Sequence, residues 1–448
     1  GSKPLPGDFS GDQKAVYYGA CVDRVYDYTA TGYNLHHGTV LWMMGQHYLL
    51  SNDREWLGHT AASMRQAADW IIAQRKQTKN DDFYRHLAPG LLPSGRLEDN
   101  REWGQWFSVN AYAWLGLDAT ARALQRAGMD GSAYYRQQAD DYLQDLRTAI
   151  TVASERAPVV RLRDRTFAPF LPTRAGQRYR GFDRKLDYFN RYDPTIKPML
   201  RLSATRELLY GPMILLNTGV IQPNEPLADW ILDDWEDNLT LSSSLGLPVH
   251  GWVEDEKWFS QGGMVFQANL QNPIQAYLQR REIPAAVRHL YNAMVSCLHP
   301  DVNVFTEEYR MWVSGSGPFY KAPDEARFVQ RVLDLLVLET AGELWLAAGT
   351  PRRWLEPGQR VAVQELATVY GQVGFELYHG AVPRTIEANI RLAIRQHPKS
   401  VKLFVRAPFQ TPIKSVWLDG EPWRQWDAEQ ETLILPGDKS AMRLRIDY

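Results

Sequence analysis

Residues 91–112 read LLPSGRLEDNREWGQWFSVNAY: a loop broken by Pro93 and Gly95, then Glu98, Asp99 and Asn100, then an apolar run with helical spacing. A loop this elaborate leading into a helix is uncommon in a compact domain unless it carries function. The same arrangement recurs. Apolar residues at helical spacing predict helices over 10–29, 35–50, 53–76, 102–127, 131–156, 204–219, 224–243, 264–281, 283–298 and 323–340. Asp53 and Asn224 read as N-caps, the second with Pro226 just inside the helix. Connections alternate along the chain: short near 51, 127–129, 219–223 and 281–283, and long over 77–101, 157–203, 244–263 and 299–322. Helices running up and down would put every long loop on one face of the array, which is where a site is expected. After about residue 341 the pattern changes to short alternating runs rich in Val, Ile and Trp, broken by Asp419-Gly420 and Pro436-Gly437. These predict a small antiparallel β-sandwich over 342–448 behind a helical domain over 10–341, a mainly α protein with a β domain.

Composition narrows the function. Among 448 residues, 50 Lys and Arg nearly balance 52 Asp and Glu, leaving a net charge of −2 and no basic field for nucleic acid or an anionic membrane. No apolar run is long enough to span a bilayer. Cys21 and Cys297 are too few for a disulfide framework and have no zinc or redox spacing. His36 and His37 are adjacent and would project in different directions, so no metal ligand set is expected, although the acidic loops leave room for a structural calcium. Neither a phosphate-binding Gly loop nor a Gly-x-Ser-x-Gly elbow occurs. Gly1-Ser2 reads as a cloning remnant, so compartment stays open, with a lean toward the periplasm or the outside of the cell. The 16 Trp, 22 Tyr and 15 Phe push mildly toward carbohydrate, because an aromatic ring packs on a sugar face.

The layout, together with 91–100, Trp103 to Tyr112, Trp258-Phe259-Ser260-Gln261-Gly262-Gly263 and Lys321-Ala322-Pro323-Asp324-Glu325, resembles the six-hairpin glycosidase superfamily over about residues 10–341. The resemblance implies an (α/α)6 toroid with the sugar at its elaborated end, a trailing β domain, and a carbohydrate substrate in place of nucleic acid or membrane. Ten helices are two short of a full ring. The toroid is therefore expected to be incomplete, remodelled, or completed by a further chain or a missing N-terminal segment.

Glycoside hydrolysis needs two carboxyl groups, one protonated to assist the leaving oxygen and one ionised to activate water or attack carbon. Burial among rings and a neighbouring carboxylate both raise an acid's pKa, so acids among aromatics on the elaborated face are the candidates. These are Glu98 and Asp99, which could equally cap the next helix; Glu236 and Asp237, whose charge near a helix C-terminus stability explains poorly; Glu254 and Asp255, between Trp252 and Trp258; and Glu307, ahead of Trp312 and Tyr320. Which two pair is left open, and with it retention or inversion. His37, Trp103, Trp106, Trp252, Trp258, Trp312 and Tyr320 are candidate substrate contacts, as are Arg161 and Arg163 in a loop alternating Arg with aromatics. Arg binds carboxylate bidentately, which suggests an acidic sugar, but ion pairing with the nearby acidic loops is the preferred reading there. Two alternatives stand: a polysaccharide lyase using Tyr33, Asn34, His36 and His37 with the Arg-rich loop, and a non-catalytic carbohydrate-binding protein.

Overall fold

The computed structural model describes residues 35–96, 103–162, 164–176, 211–240, 264–266, 271–299, 302–305, 308–310, 315–316, 322–340, 342–409 and 411–448. The expected helix 10–29 lies outside them. The chain divides into two compact units: Gly1–Gln271 with Val295–Asp324, and Asn272–Met294 with Glu325–Tyr448.

In the first unit, α1 (Leu35–Ser51) and α2 (Arg54–Asn80) join through a tight turn. Asp53 caps α2 as expected, its carboxylate accepting the Trp56 N–H at 2.9 Å. A short α3 (Asp82–Arg85) follows, then α4 (Phe107–Ala127) and α5 (Ser132–Glu155). Leu57, Ala61, Met64, Ala68 and Ile71 on α2, and Tyr135, Ala139, Tyr142, Leu146 and Ile150 on α5, repeat at three and four residues and form their buried stripes. By contrast α4 is buried almost all round and is correspondingly rich in Ala. Its Gly116 meets Gly38 of α1, while Gly45 of α1 meets Ala119; a Cβ at any of these glycines would collide with the other helix. The hairpin β3 (Val159–Arg161) and β4 (Phe167–Pro169) packs Val160, Ala168 and Phe170 with Trp230. Trp230 belongs to α7 (Pro226–Asp234), which follows a short α6 (Met213–Thr218) and continues as a π-helical segment, Trp235–Thr240. Glu225, not the expected Asn224, is the N-cap residue of α7, with Pro226 at its first position.

Small sheets complete this unit. The strand pair β1 (Gly95–Arg96) and β2 (Trp103–Gly104) precedes α4. Strands β5 (Met264–Phe266), β8 (Glu308–Arg310) and β9 (Gly315–Ser316) form an antiparallel trio, and β6 (Leu298–His299) pairs with β7 (Val304–Phe305).

The second unit holds α8 (Ile274–Gln279), most of α9 (Ile283–Cys297) and α10 (Ala322–Leu336), with two larger sheets. One orders β10 (Val337–Thr340), β11 (Glu343–Leu346), β15 (Ser400–Phe404), β19 (Thr432–Leu435) and β18 (Trp426–Asp427). The other orders β12 (Arg360–Thr368), β13 (Gly371–His379), β14 (Thr385–Ile394), β20 (Ala441–Asp447), β16 (Ser415–Leu418) and β17 (Glu421–Trp423). All pairings are antiparallel except β11 with β15. Burial alternates along β20 and β19, so each sheet buries one face.

Four expected helices differ; of 204–219, the described residues 211–219 form only the short α6, Met213–Thr218. Among the described residues of 264–281 the chain forms β5 and the six-residue α8, because Pro273 has no N–H to continue a helix and the Asn272 side-chain oxygen Oδ1 instead accepts the Ile274 N–H at 3.1 Å. Over 102–127, Trp103 and Gly104 are drawn into β2 and α4 starts at Phe107. Over 323–340, α10 stops at Leu336 and Val337 to Thr340 become an edge strand. Helical periodicity and a short apolar strand look alike in such stretches, and pairing across the chain decides between them.

Candidate functional site

Residues 86–94 have no regular structure, yet their buried backbone groups must find partners. Side chains from three helices supply them. Arg75 Nε donates to the Gly90 carbonyl at 2.8 Å. Thr78 accepts the Gly90 N–H at 3.1 Å and its hydroxyl lies 2.7 Å from the Leu91 carbonyl. Gln105 donates to the carbonyls of Ala88 and Leu92, at 2.9 and 3.1 Å. The Asn110 oxygen accepts both the Leu92 N–H at 2.8 Å and the Tyr142 hydroxyl at 2.7 Å. Tyr84 accepts the Ser94 N–H, and the Trp106 indole N–H donates to the Gly95 carbonyl at 3.1 Å.

One carboxylate beneath this loop serves two cations. Asp145 accepts from Arg75 and from Lys79, each at 2.7 Å. The Arg75 guanidinium also lies 3.9 Å from the centre of the Tyr142 ring. Burial, with Asp145 adding to it and Arg75 opposing it, pushes the Tyr142 phenol well above the ordinary tyrosine range. It therefore stays a protonated donor to Asn110.

The clamp ends at a hairpin. Gly95 pairs with Gly104 and Arg96 with Trp103, and the connecting residues 97–102, which carry Glu98 and Asp99, lie outside the described residues. Beside the hairpin base, Trp106 is buried and forms a bridge with Arg174, whose guanidinium is 5.0 Å from the centre of the Trp106 ring. Phe107 N–H to Thr173 O, 2.9 Å, and Ala175 N–H to Gln105 O, 3.1 Å, bind the 173–175 strip to the start of α4. Gly104 leaves room for the Arg174 stem, since a Cβ there would sit 2.8 Å from Arg174 Cδ. A ring, a guanidinium and the paired strands β1 and β2 thus share one braced platform.

The other candidates are distributed. Glu236 and Asp237 are half-buried in the π-helical segment after Trp235, an irregularity found frequently at functional sites. At the opposite end of α7, Glu225 pairs with Arg147 at 3.0 Å. Burial raises its carboxyl pKa, but the Arg147 and Gln222 N–H hydrogen bonds outweigh that and hold it below the usual range. Arg161 is exposed on β3. His37 is enclosed in α1, stacked on Trp70 with ring centres 3.8 Å apart and planes 10° apart. Of Trp103 only the backbone, in β2, is described, and Arg163, Trp252, Glu254, Asp255, Trp258, Glu307, Trp312 and Tyr320 lie outside the described residues. The trio β5, β8 and β9 nevertheless joins the stretch just after one predicted long loop to the middle of another: Glu308, next to Glu307, pairs with Phe266 and with Ser316. Among the described residues no acid, His or Cys cluster has the make-up of a metal site, and no helix is long and apolar enough to cross a membrane.

Sequence reasoning missed the supporting residues Arg75, Thr78, Gln105, Asn110, Tyr142 and Asp145, and left Arg174 unsingled among the loop arginines. A usable signal existed: Arg75, Thr78 and Asn110 occupy buried positions of their helices where the apolar period calls for a hydrophobic side chain.

No protein-family model matches the sequence, and no curated protein matches it either. Among solved structures, the chain is similar to an α-L-rhamnosidase from Dictyoglumus thermophilum at 8% identity and a TM-score of 0.45, over 92% of this chain and 39% of that one. A structure described as a glycoside hydrolase aligns at 11% identity and 0.38, over 92% and 73%. The α-L-rhamnosidase of Streptomyces avermitilis, complexed with L-rhamnose, aligns at 13% identity and 0.36, over 91% and 32%. These neighbours are glycoside hydrolases, and the chain spans well under half the length of either rhamnosidase.

Proposed function

We propose that this chain is the catalytic part of a glycoside hydrolase, its helical region an incomplete (α/α) toroid through about residue 341 and its β domain a bracing sandwich. The observation that carries the reading is the clamped hairpin. Residues 97–102, which carry Glu98 and Asp99, connect two paired strands, β1 and β2, and the Trp106 indole N–H holds the Gly95 carbonyl of β1, with Arg174 beside that ring. A rigid support next to the reacting groups is what acid–base chemistry requires, since small displacements of a reacting group cost large factors in rate. One of Glu98 and Asp99 is assigned the proton-donating role at the glycosidic oxygen. The partner carboxylate is drawn from Glu236, Asp237, Glu254, Asp255 and Glu307. Arg174, added to Arg161 and Arg163, gives the platform a cation suited to an acidic sugar. No cofactor is proposed.

The test is incubation with a panel of neutral and acidic glycans, reading released reducing ends and the absorbance of unsaturated uronate in parallel. Reducing ends without the chromophore are expected, and Glu98→Gln or Asp99→Asn should lower the rate by roughly 10²-fold or more. The chromophore would instead establish elimination, and saturable binding without any product would establish a binding protein.

A further inference from the structure

The second unit carries a groove of about 500 Å³ on its five-stranded sheet, far in sequence from the clamped hairpin. Trp345 and Phe404 line it as largely buried rings with centres 5.1 Å apart, and Trp426 is partly exposed along it. Three cations also line it: Arg281, Lys402 and Arg424.

Their charges are not equally matched. Lys402 is neutralised by Glu343 at 2.7 Å, and the same carboxylate oxygen accepts the Trp345 indole N–H, also at 2.7 Å. Arg281 has no such acid. It follows α8 in the left-handed conformation, φ +65°, and its guanidinium stacks on Phe404 at 4.3 Å while donating to the Gln430 backbone carbonyl at 2.7 Å. Its remaining terminal nitrogen, Nη1, is buried and has no hydrogen-bond partner. The two nearby acids are already engaged. Glu431 receives both terminal nitrogens of Arg352, at 2.7 and 2.6 Å, and Asp427 accepts the N–H groups of Glu429 and Gln430. Arg406, lowered to about 10 by burial and by the charges of Arg352 and Arg281, shares the same field. Several guanidinium groups therefore surround few acids, which leaves the groove with a surplus of positive charge for an anionic ligand.

We infer that this groove is a second saccharide site, one that takes a uronate-bearing sugar with its ring against Trp426 and its carboxylate between the Arg281 and Arg424 guanidinium groups, Arg424 being at the mouth. Planar guanidinium suits carboxylate, and indole suits a sugar face. The choice of a saccharide over other anions rests on the glycosidase reading.

The test uses the full chain, titrated with trigalacturonate, galactotriose and a tetraglutamate peptide and followed by tryptophan fluorescence and calorimetry. Saturable binding of trigalacturonate alone is expected, weakened about tenfold or more by Arg281→Gln or Trp426→Ala and by added salt. Because Arg281 also braces the fold, Arg424→Gln, at an exposed position, serves as the second variant and should weaken binding about threefold with an unchanged melting temperature. No binding of trigalacturonate, equal binding of galactotriose or tetraglutamate, or affinity indifferent to all three substitutions would overturn the site. Hydrolysis measured on the same samples separates the two readings: hydrolysis without groove binding overturns the groove alone, whereas Arg281-dependent binding without hydrolysis supports the groove, and the enzymatic reading then falls only with failure across the whole glycan panel.

Discussion

Asp334 on α10 accepts from Asn272 at 2.6 Å and from Gln275 at 2.9 Å. Burial raises its carboxyl to about 6 against an ordinary 3.8, with the two amides and Arg327 and Arg331 only partly opposing it. A carboxyl raised on folding contributes stability that is complete below its unfolded pKa and is lost as pH rises through its folded one. The loss should therefore fall between pH 3.8 and about 6 and amount to roughly 3 kcal/mol. Melting temperatures taken across that window should show Asp334→Asn flattening the slope and raising stability at neutral pH. Glu225, lowered on folding, works the other way, its stability being lost as pH falls through its folded pKa. At the clamp, Asn110→Ala would strand the Leu92 N–H and the Tyr142 hydroxyl, costing about 2–4 kcal/mol in chemical denaturation. Hydrogen exchange at Leu92 should quicken, and if the hairpin is catalytic, hydrolysis should fall with it.

Glycines at the element scale make opposite predictions according to what surrounds them. Gly58 lies in an open stretch of α2, so Gly58→Ala should stabilise by about 0.5–1 kcal/mol. Gly45→Ala would drive a methyl group into Ala119 of α4 and should destabilise by about 1–3 kcal/mol or more, read as a fall in melting temperature. Elements such as α2 and α5 were legible because their stripes persist over many turns and Asp53 marks a start. The strands β2, β5 and β10 were not, because two to four residues acquire their state from a partner elsewhere in the chain. The candidate site divides in the same way. Acids beside tryptophans are visible as a local motif, whereas the Arg75–Asp145 and Asn110–Tyr142 contacts join residues on different helices and leave only misplaced polar side chains as a trace.

For the molecule as a whole, the second unit draws residues from both sides of the 295–324 segment. Gly349 packs on Leu335 and Leu278, Asp334 holds Asn272 and Gln275, and β10 edges the sheet. A fragment of residues 342–448 should therefore lack a cooperative thermal transition and near-ultraviolet circular dichroism, whereas 272–448 should show both. The six-stranded sheet adds a temporal constraint. Strand β20 lies between β14 and β16 and bonds to both. During translation β14 is finished at residue 394, but its neighbour begins only at residue 441. Until that last stretch leaves the ribosome, β14 presents an open edge to every other nascent chain nearby, so the yield of folded protein should depend on how fast the ribosome covers that interval and on whether a chaperone shields the edge meanwhile.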